Sequence, residues 1–232
     1  MIIVPAATRS QWEKHLTTWG HFQLYIFKTG SQLEELESFL EEGRVEILLL
    51  SHDLFQRNAM ALGYENGNEH GAARDWGLVV IDELHLFKNR ESERSKATNH
   101  LVGAQSIIGL TGTPAQNDLD EIWWVFTLVE PGCFGTFDEF REHFKIPIYN
   151  ARKEGASRRE RETGKERLCE LGVIRDSNMI RREKEKEDEV KDKLHGKTDT
   201  VASVLPADRG AAAGVQDCAG PPGVQDGGPL QQ

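Results

Sequence analysis

The sequence predicts an α/β fold, a doubly wound and mostly parallel sheet with helices on both faces. Three observations carry that expectation. Leu78-Val79-Val80-Ile81 is an apolar, mostly β-branched run that stops at two carboxylates, Asp82 and Glu83. Such a run reads as a strand buried on both faces, as in parallel sheets covered by helices. Ser106 to Leu110 is a second run of the same form, broken by Thr111-Gly112-Thr113-Pro114. Finally, short apolar runs alternate with helical patterns from Met1 to Leu110, which builds strand-helix-strand units.

In chain order, Met1 to Val4 is a strand that breaks at Pro5. Thr8 and Gln11 form a capping-box pattern that opens a helix presenting Trp12, Leu16 and Trp19. The spacing assigns Trp12 to core packing. Phe22 to Phe27 alternates as a strand, and Ser31 with Glu34 caps a helix whose stripe is Leu33, Leu36, Phe39 and Leu40. Val45 to Leu50 is another buried strand, followed by Ser51 and His52. Asn58 to Arg74, with Gly63, Gly67 and Gly71 among polar residues, reads as a surface excursion before Trp76 leads into the acid-tipped strand.

Beyond Pro114, Leu119, Ile122, Trp123 and Phe126 share one helix face, and Phe137, Phe140 and Phe144 share a second. From Ala151 to Lys197 the chain is dense in charge of both signs, and Ser157 to Leu171 reads as a helix carrying i,i+4 ion pairs. From about Ala202 it is rich in Gly, Ala, Pro and Gln without apolar periodicity, the composition of a disordered tail.

At 232 residues the chain has room for one large domain, or one domain and a tail. Its three cysteines are far apart and lack metal-ligand spacing. No apolar run approaches the length of a membrane span. The start at Met1-Ile2-Ile3-Val4-Pro5 lacks the basic flank of a signal peptide. A net charge of -10 argues against a simple basic nucleic-acid-binding module. It leaves room for a motor that meets DNA in one locally positive cleft.

Two acids at the carboxyl end of a parallel strand stand where open α/β sheets bind ligands. An acid there suits Mg²⁺ on nucleotide phosphates, and a second beside it can polarise an attacking water. Asp82-Glu83-Leu84-His85 resembles motif II of the helicase-like ATPases, and Leu110-Thr111-Gly112-Thr113-Pro114-Ala115-Gln116-Asn117 resembles motif III of the Swi/Snf-type DNA translocases. Glu121-Ile122-Trp123 and the run Pro131-Gly132-Cys133-Phe134-Gly135-Thr136-Phe137 with Phe140 extend the match. The strand, Pro5 and the Gln11-Trp12 helix resemble motif Ia, Ser51-His52 stands at motif Ib with His52 replacing an aromatic, and Met179-Ile180-Arg181-Arg182-Glu183-Lys184 resembles the Leu-Arg-Arg-Thr-Lys element. Within the family, Thr163-Gly164-Lys165 to Leu168 most resembles the Cockayne syndrome group B-like DNA repair branch.

The resemblance implies a partial first RecA-like lobe over 1–145, a charged helical extension over 146–200 leading toward a second lobe, and a tail over 201–232. It implies ATP and Mg²⁺ as cofactors and double-stranded DNA as partner, with nucleosomes or repair factors as further partners, in the nucleus and away from membranes. By matching position, Asp82 would ligate Mg²⁺ through water and Glu83 would orient the lytic water. His85, Thr111, Gly112 and Thr113 would couple the nucleotide to DNA, and Gln116 and Asn117 would stabilise that junction. Pro5, Ala6, Ser51 and His52 would face nucleic acid. His52 is given no catalytic role. Leu84 stands where the family has Ala, and its bulk is expected to crowd the helix behind motif II.

The sequence holds no Gly-x-x-x-x-Gly-Lys-Ser/Thr before motif Ia, and no second lobe with arginine fingers is recognisable. The expectation is therefore a fragment. Codons for 204–232, read one nucleotide on, can encode an apolar strand and a helix opening with Gln, so the tail is expected to be frame-shifted. The competing reading is a truncated product that binds DNA or a protein partner without hydrolysing ATP. A third, an unrelated α/β NTPase, fits Gln116-Asn117 and the Pro131 to Phe137 run poorly.

Overall fold

The computed structural model describes residues 1–64, 72–112 and 118–180. They divide into two units, the second beginning at Arg141. In the first unit, five strands form a parallel sheet in the order β2-β3-β1-β4-β5. The strands are β1 (Ile2–Val4), β2 (Leu24–Ile26), β3 (Ile47–Ser51), β4 (Val79–Ile81) and β5 (Ile107–Gly109). All four strand pairings are parallel, with Ile3 opposite both Leu50 and Ile81. The expected fold class is therefore observed among the described residues.

Alternation of side chains across the pleat sends successive residues of each strand to opposite faces. On one face Ile3, Leu48, Leu50, Val79 and Ile81 join the main core with Leu36 of α2 (Leu33–Glu41), Phe55 and Leu62 of α3 (His52–Gly63), Ala97 of α4 (Glu93–Ala97) and Val125 of α5 (Leu119–Val129). On the other, Ile2, Val4 and Leu49 are covered by Trp12 and Leu16 of α1 (Arg9–Trp19). Trp19, expected on the same stripe, is 83% exposed at the end of α1.

Three local expectations differ from what is observed. Thr8 precedes α1 but makes no cap with its side chain; its hydroxyl instead donates to the Pro5 carbonyl at 3.2 Å. The capping box before α2 is Thr29 with Gln32, which opens a 3₁₀ turn at Gly30–Gln32, rather than Ser31 with Glu34. The third concerns the excursion expected from Asn58. Helix α3 kinks at Asn58 (φ -119°, ψ 15°) but resumes to Gly63, where Ala59 and Leu62 are buried with Phe55. The glycines at 67 and 71 fall outside the described residues.

Within the first unit, Trp123 donates to the Gly135 carbonyl at 3.1 Å and meets Phe137 of α6 (Phe137–Phe140) edge-on at 5.0 Å. Phe134 stacks between Phe126 and Phe140, 5.5 Å from each. The aromatic spacing read from the sequence is thus spent on seating this segment against α5.

The second unit holds a π-helical turn at Arg141–Lys145, α7 (Ile146–Ala151) and α8 (Arg158–Ser177). Helix α8 opens on a capping box of Ser157 with Glu160 and continues past Leu171. Arg158–Glu162 pairs at i,i+4 and Arg167–Glu170 at i,i+3. The α7–α8 crossing depends on Gly164: a Cβ there would overlap the Ala151 side chain and lie 3.1 Å from the Pro147 carbonyl. Residues from Arg181 onward, including most of the Leu-Arg-Arg-like element and the whole tail, lie outside the described residues.

Candidate active site

Strand β4 delivers the acid pair. The Asp82 amide makes the last bond to β1, donating to the Ile3 carbonyl at 2.9 Å. The chain then turns sharply. Glu83 adopts a left-handed conformation, φ 51° and ψ 50°, and no other non-glycine residue among the described residues has positive φ. That conformation costs a non-glycine residue about 1–3 kcal/mol and persists only where the surroundings enforce it. They do so here on both sides. Leu84 N–H donates to the Leu110 carbonyl at 2.8 Å, and Leu110 N–H donates to Ile81 at 2.8 Å. The following 3₁₀ turn, Leu84–Phe87, is held by its last carbonyl, which accepts from Ser95 Oγ at 2.6 Å and from Trp124 Nε1 at 2.9 Å. Lys88 pairs with Glu121 of α5 at 3.1 Å.

Leu84 does not crowd the fold as its size suggested. It is 3% exposed and fills the space above Gly109, where a Cβ would overlap its side chain and lie 3.3 Å from Val129 of α5. A glycine on β5 makes room for the leucine on the acid-bearing turn.

The half-buried Asp82 is held at three atoms. Its Oδ1 accepts from the Glu83 N–H at 3.0 Å, and its Oδ2 accepts from Trp12 Nε1 at 2.9 Å. Its backbone carbonyl lies 2.9 Å from His52 Nε2. A carbonyl can only accept, so the proton of His52 sits on Nε2. Burial pushes the His52 pKa down, outweighing the opposite pull of that bond and favouring the neutral ring. The ring also meets Phe87 edge-on at 5.1 Å.

Glu83 is more open, its side chain 43% exposed, and its Oε2 lies 3.1 Å from His85 Nδ1. The same nitrogen lies 3.2 Å from Thr111 Oγ1. His85 therefore bridges the acid turn to the end of β5. Gly112 follows with open space where a Cβ would stand. Thr113, Gln116 and Asn117 lie outside the described residues.

Of the residues expected to face nucleic acid, Ala6 is exposed and Pro5 half-buried at the end of β1. Ser51 and His52 are both buried. They are 5% and 3% exposed, Ser51 caps α3 by accepting from Leu54 N–H, and His52 is spent on Asp82 and Phe87. Neither side chain reaches solvent. The packing on the sheet expected of Trp12 is observed, and its indole N–H in addition reaches the acid. The signal lay in the polar tip of tryptophan, which finds a partner when buried.

No three or more His, Cys, Asp and Glu side chains converge as a metal cage among the described residues. Mg²⁺ does not need one: it keeps several waters and takes one or two carboxylates together with substrate phosphates. Each Asp82 oxygen accepts one hydrogen bond from an identified donor and has a further lone pair. The acid pair fits a water-mediated Mg²⁺ at this strand end.

The model of the family described as SNF2-related domain matches residues 1–208. The chain belongs to that SNF2-related family. Its relatives include the DNA repair and recombination protein RAD54-like of Gallus gallus, 35% identical over 78% of this chain and 25% of that protein. The Homo sapiens counterpart is 32% identical over 78% of this chain and 24% of its own length. DNA excision repair protein ERCC-6-like 2 of Mus musculus is 29% identical over 79% of this chain and 11% of its own. Among solved structures, the Sulfolobus solfataricus SWI2/SNF2 ATPase core in complex with dsDNA superposes with a TM-score of 0.60 at 25% identity. That match covers 84% of this chain and 35% of the other. The SNF2-related chain thus spans about a quarter of the RAD54-like relatives it matches.

Proposed function

We propose that this chain is the acid-bearing part of the first RecA-like lobe of a DNA-dependent ATPase that moves along double-stranded DNA in repair or chromatin remodelling, in the nucleus. The observation that supports it is the enforced left-handed turn at Glu83, which sets Asp82 and Glu83 side by side at a strand end and ties them through His85 to Thr111. Strained backbone of this kind concentrates at functional sites. The dsDNA-bound structural neighbour supports the choice of partner, and the repair relatives support the pathway.

In this reading bound Mg²⁺ would neutralise charge on the phosphates of ATP. Asp82 would hold that ion through water, its carboxylate fixed by Trp12 and the Glu83 amide. Glu83 orients the attacking water and takes its proton. His85 carries the state of Glu83 to Thr111, and Gly112 and Thr113 pass it on toward DNA with Gln116 and Asn117. Pro5 and Ala6 at the end of β1 meet the nucleic acid. The lobe occupies 1–145 and the extension 146–200.

Phosphoryl transfer depends on positioning and charge neutralisation, and one arginine finger is worth about 10³ to 10⁵ in rate. Neither that group nor a phosphate loop is recognisable in the sequence. The purified chain is therefore expected to show no DNA-stimulated ATPase above background in a phosphate-release assay with and without duplex DNA. Robust release that disappears in Glu83→Gln would refute this division of labour.

A further inference from the structure

We propose that Trp12 is a positioning residue for the metal-facing carboxylate of Asp82. The proposal rests on reading Asp82 as the Mg²⁺ acid. Trp12 lies in the second turn of α1, and its ring packs among Ile2, Val4, Leu49 and Leu16 on the sheet face. That packing aims the indole N–H along the end of β1 to Asp82 Oδ2, 2.9 Å away. The Glu83 amide holds the other oxygen at 3.0 Å. With both oxygens engaged, the carboxylate cannot swing about its side-chain torsions, and its remaining lone pairs keep one direction.

The chemistry favours an N–H donor with no proton to lose. Indole donates only, so it orients a carboxylate without competing for the metal. A hydrogen-bonded outer partner also preserves the geometry of a ligand, and losing one typically costs a metal site about 10–100-fold in affinity. The arrangement links two parts of the sheet: the helix that follows β1, whose end carries Pro5 and Ala6, sets the acid at the end of β4. A displacement of α1 moves the indole and releases Oδ2.

The test uses the full chain with Mn²⁺ as a paramagnetic probe, and Trp12→3-benzothienylalanine, which keeps the ring shape and replaces the N–H with sulfur. In the unaltered chain, Mn²⁺ is expected to broaden the Trp12 indole N–H resonance before that of Trp19, and Asp82→Asn to remove the effect. The isosteric variant should melt close to the unaltered chain yet bind Mn²⁺ about tenfold more weakly by water-proton relaxation. In Asp82→Asn the same replacement should change nothing further. A second measurement needs no change at position 12: exchange of the Trp12 indole proton should speed up in Asp82→Ala, which removes the acceptor. Unchanged Mn²⁺ affinity in the isosteric variant, with binding still dependent on Asp82, overturns the role of Trp12 and leaves the metal assignment standing. Mn²⁺ binding that ignores Asp82→Asn overturns the metal assignment and the role of Trp12 with it. Indole exchange that ignores Asp82→Ala refutes the hydrogen bond itself.

Discussion

His85 Nδ1 stands 3.2 Å from Thr111 Oγ1 and 3.1 Å from Glu83 Oε2, so one ring nitrogen faces both the acid turn and the end of the neighbouring strand. The two strands pair in parallel in the register Val79–Ile107 to Ile81–Gly109. A change at Glu83 therefore has a side-chain route to Thr111. In a protein completed with a phosphate loop and second lobe, His85→Ala should keep ATP binding and lose DNA stimulation by about fivefold or more, the lower range of site-to-site coupling. ATPase rates with and without duplex DNA measure this. Full stimulation in the variant would show that the ring carries no coupling.

Leu84 and Gly109 behave as one packing unit. Leu84→Ala should cost about 2–5 kcal/mol as a buried large-to-small change. Gly109→Ala should destabilise the chain in the presence of Leu84, whose side chain occupies the space of the new methyl. In the Leu84→Ala background that penalty should largely vanish, because the obstruction has gone. Denaturant unfolding of the four chains gives the coupling directly. Simple additivity of the two changes would contradict the packing described.

Gly164 sets helix propensity against packing. In an open helix interior, Gly→Ala gains about 1 kcal/mol. Here the added methyl would overlap Ala151. Gly164→Ala is expected to lower the unfolding midpoint of the second unit, with Gly164→Val lowering it further. A gain in stability for Gly164→Ala would mean that α7 and α8 do not approach as described.

His52 gives the fold a dependence on pH. Burial lowers its pKa below the ordinary 6.5. Between the folded and unfolded values the unfolded chain binds the extra proton, so this contribution favours folding above about pH 6.5 and is lost as pH falls through the folded value. His52→Gln retains a donor for the Asp82 carbonyl and removes the titration. Unfolding midpoints at pH 7.5 and pH 5 should differ less in the variant than in the unaltered chain. Equal differences would exclude His52 as a source of the acid sensitivity.

Much of this was legible in the sequence because parallel strands buried on both faces appear as short β-branched runs. Val79 to Ile81 follows that signal with Asp82-Glu83 at its end, whereas Ile107 to Gly109 is a strand at the sheet edge with Ile108 46% exposed. Caps were less legible. Thr29 and Ser31 both carry an acceptor, and the choice is made by a 3₁₀ turn that propensity does not announce. The end of α3 was hidden because glycines and polar residues outweighed the Phe55, Ala59 and Leu62 stripe. The site was half legible. The acids follow from their place at the end of an apolar run and His85 from the motif II resemblance, whereas Trp12 and His52 reach Asp82 from 70 and 30 residues away, a proximity only the sheet order creates.

The central claim is that Glu83 orients the attacking water beside an Asp82-held Mg²⁺. Its most direct test is Glu83→Gln in a protein completed with a phosphate loop and second lobe, comparing nucleotide affinity with single-turnover hydrolysis on duplex DNA. The amide keeps the shape of the carboxylate but cannot accept the proton of water. ATP affinity should be nearly unchanged while hydrolysis falls by about 10² to 10⁴, the usual contribution of a catalytic base. Hydrolysis at the unaltered rate in Glu83→Gln would contradict the account.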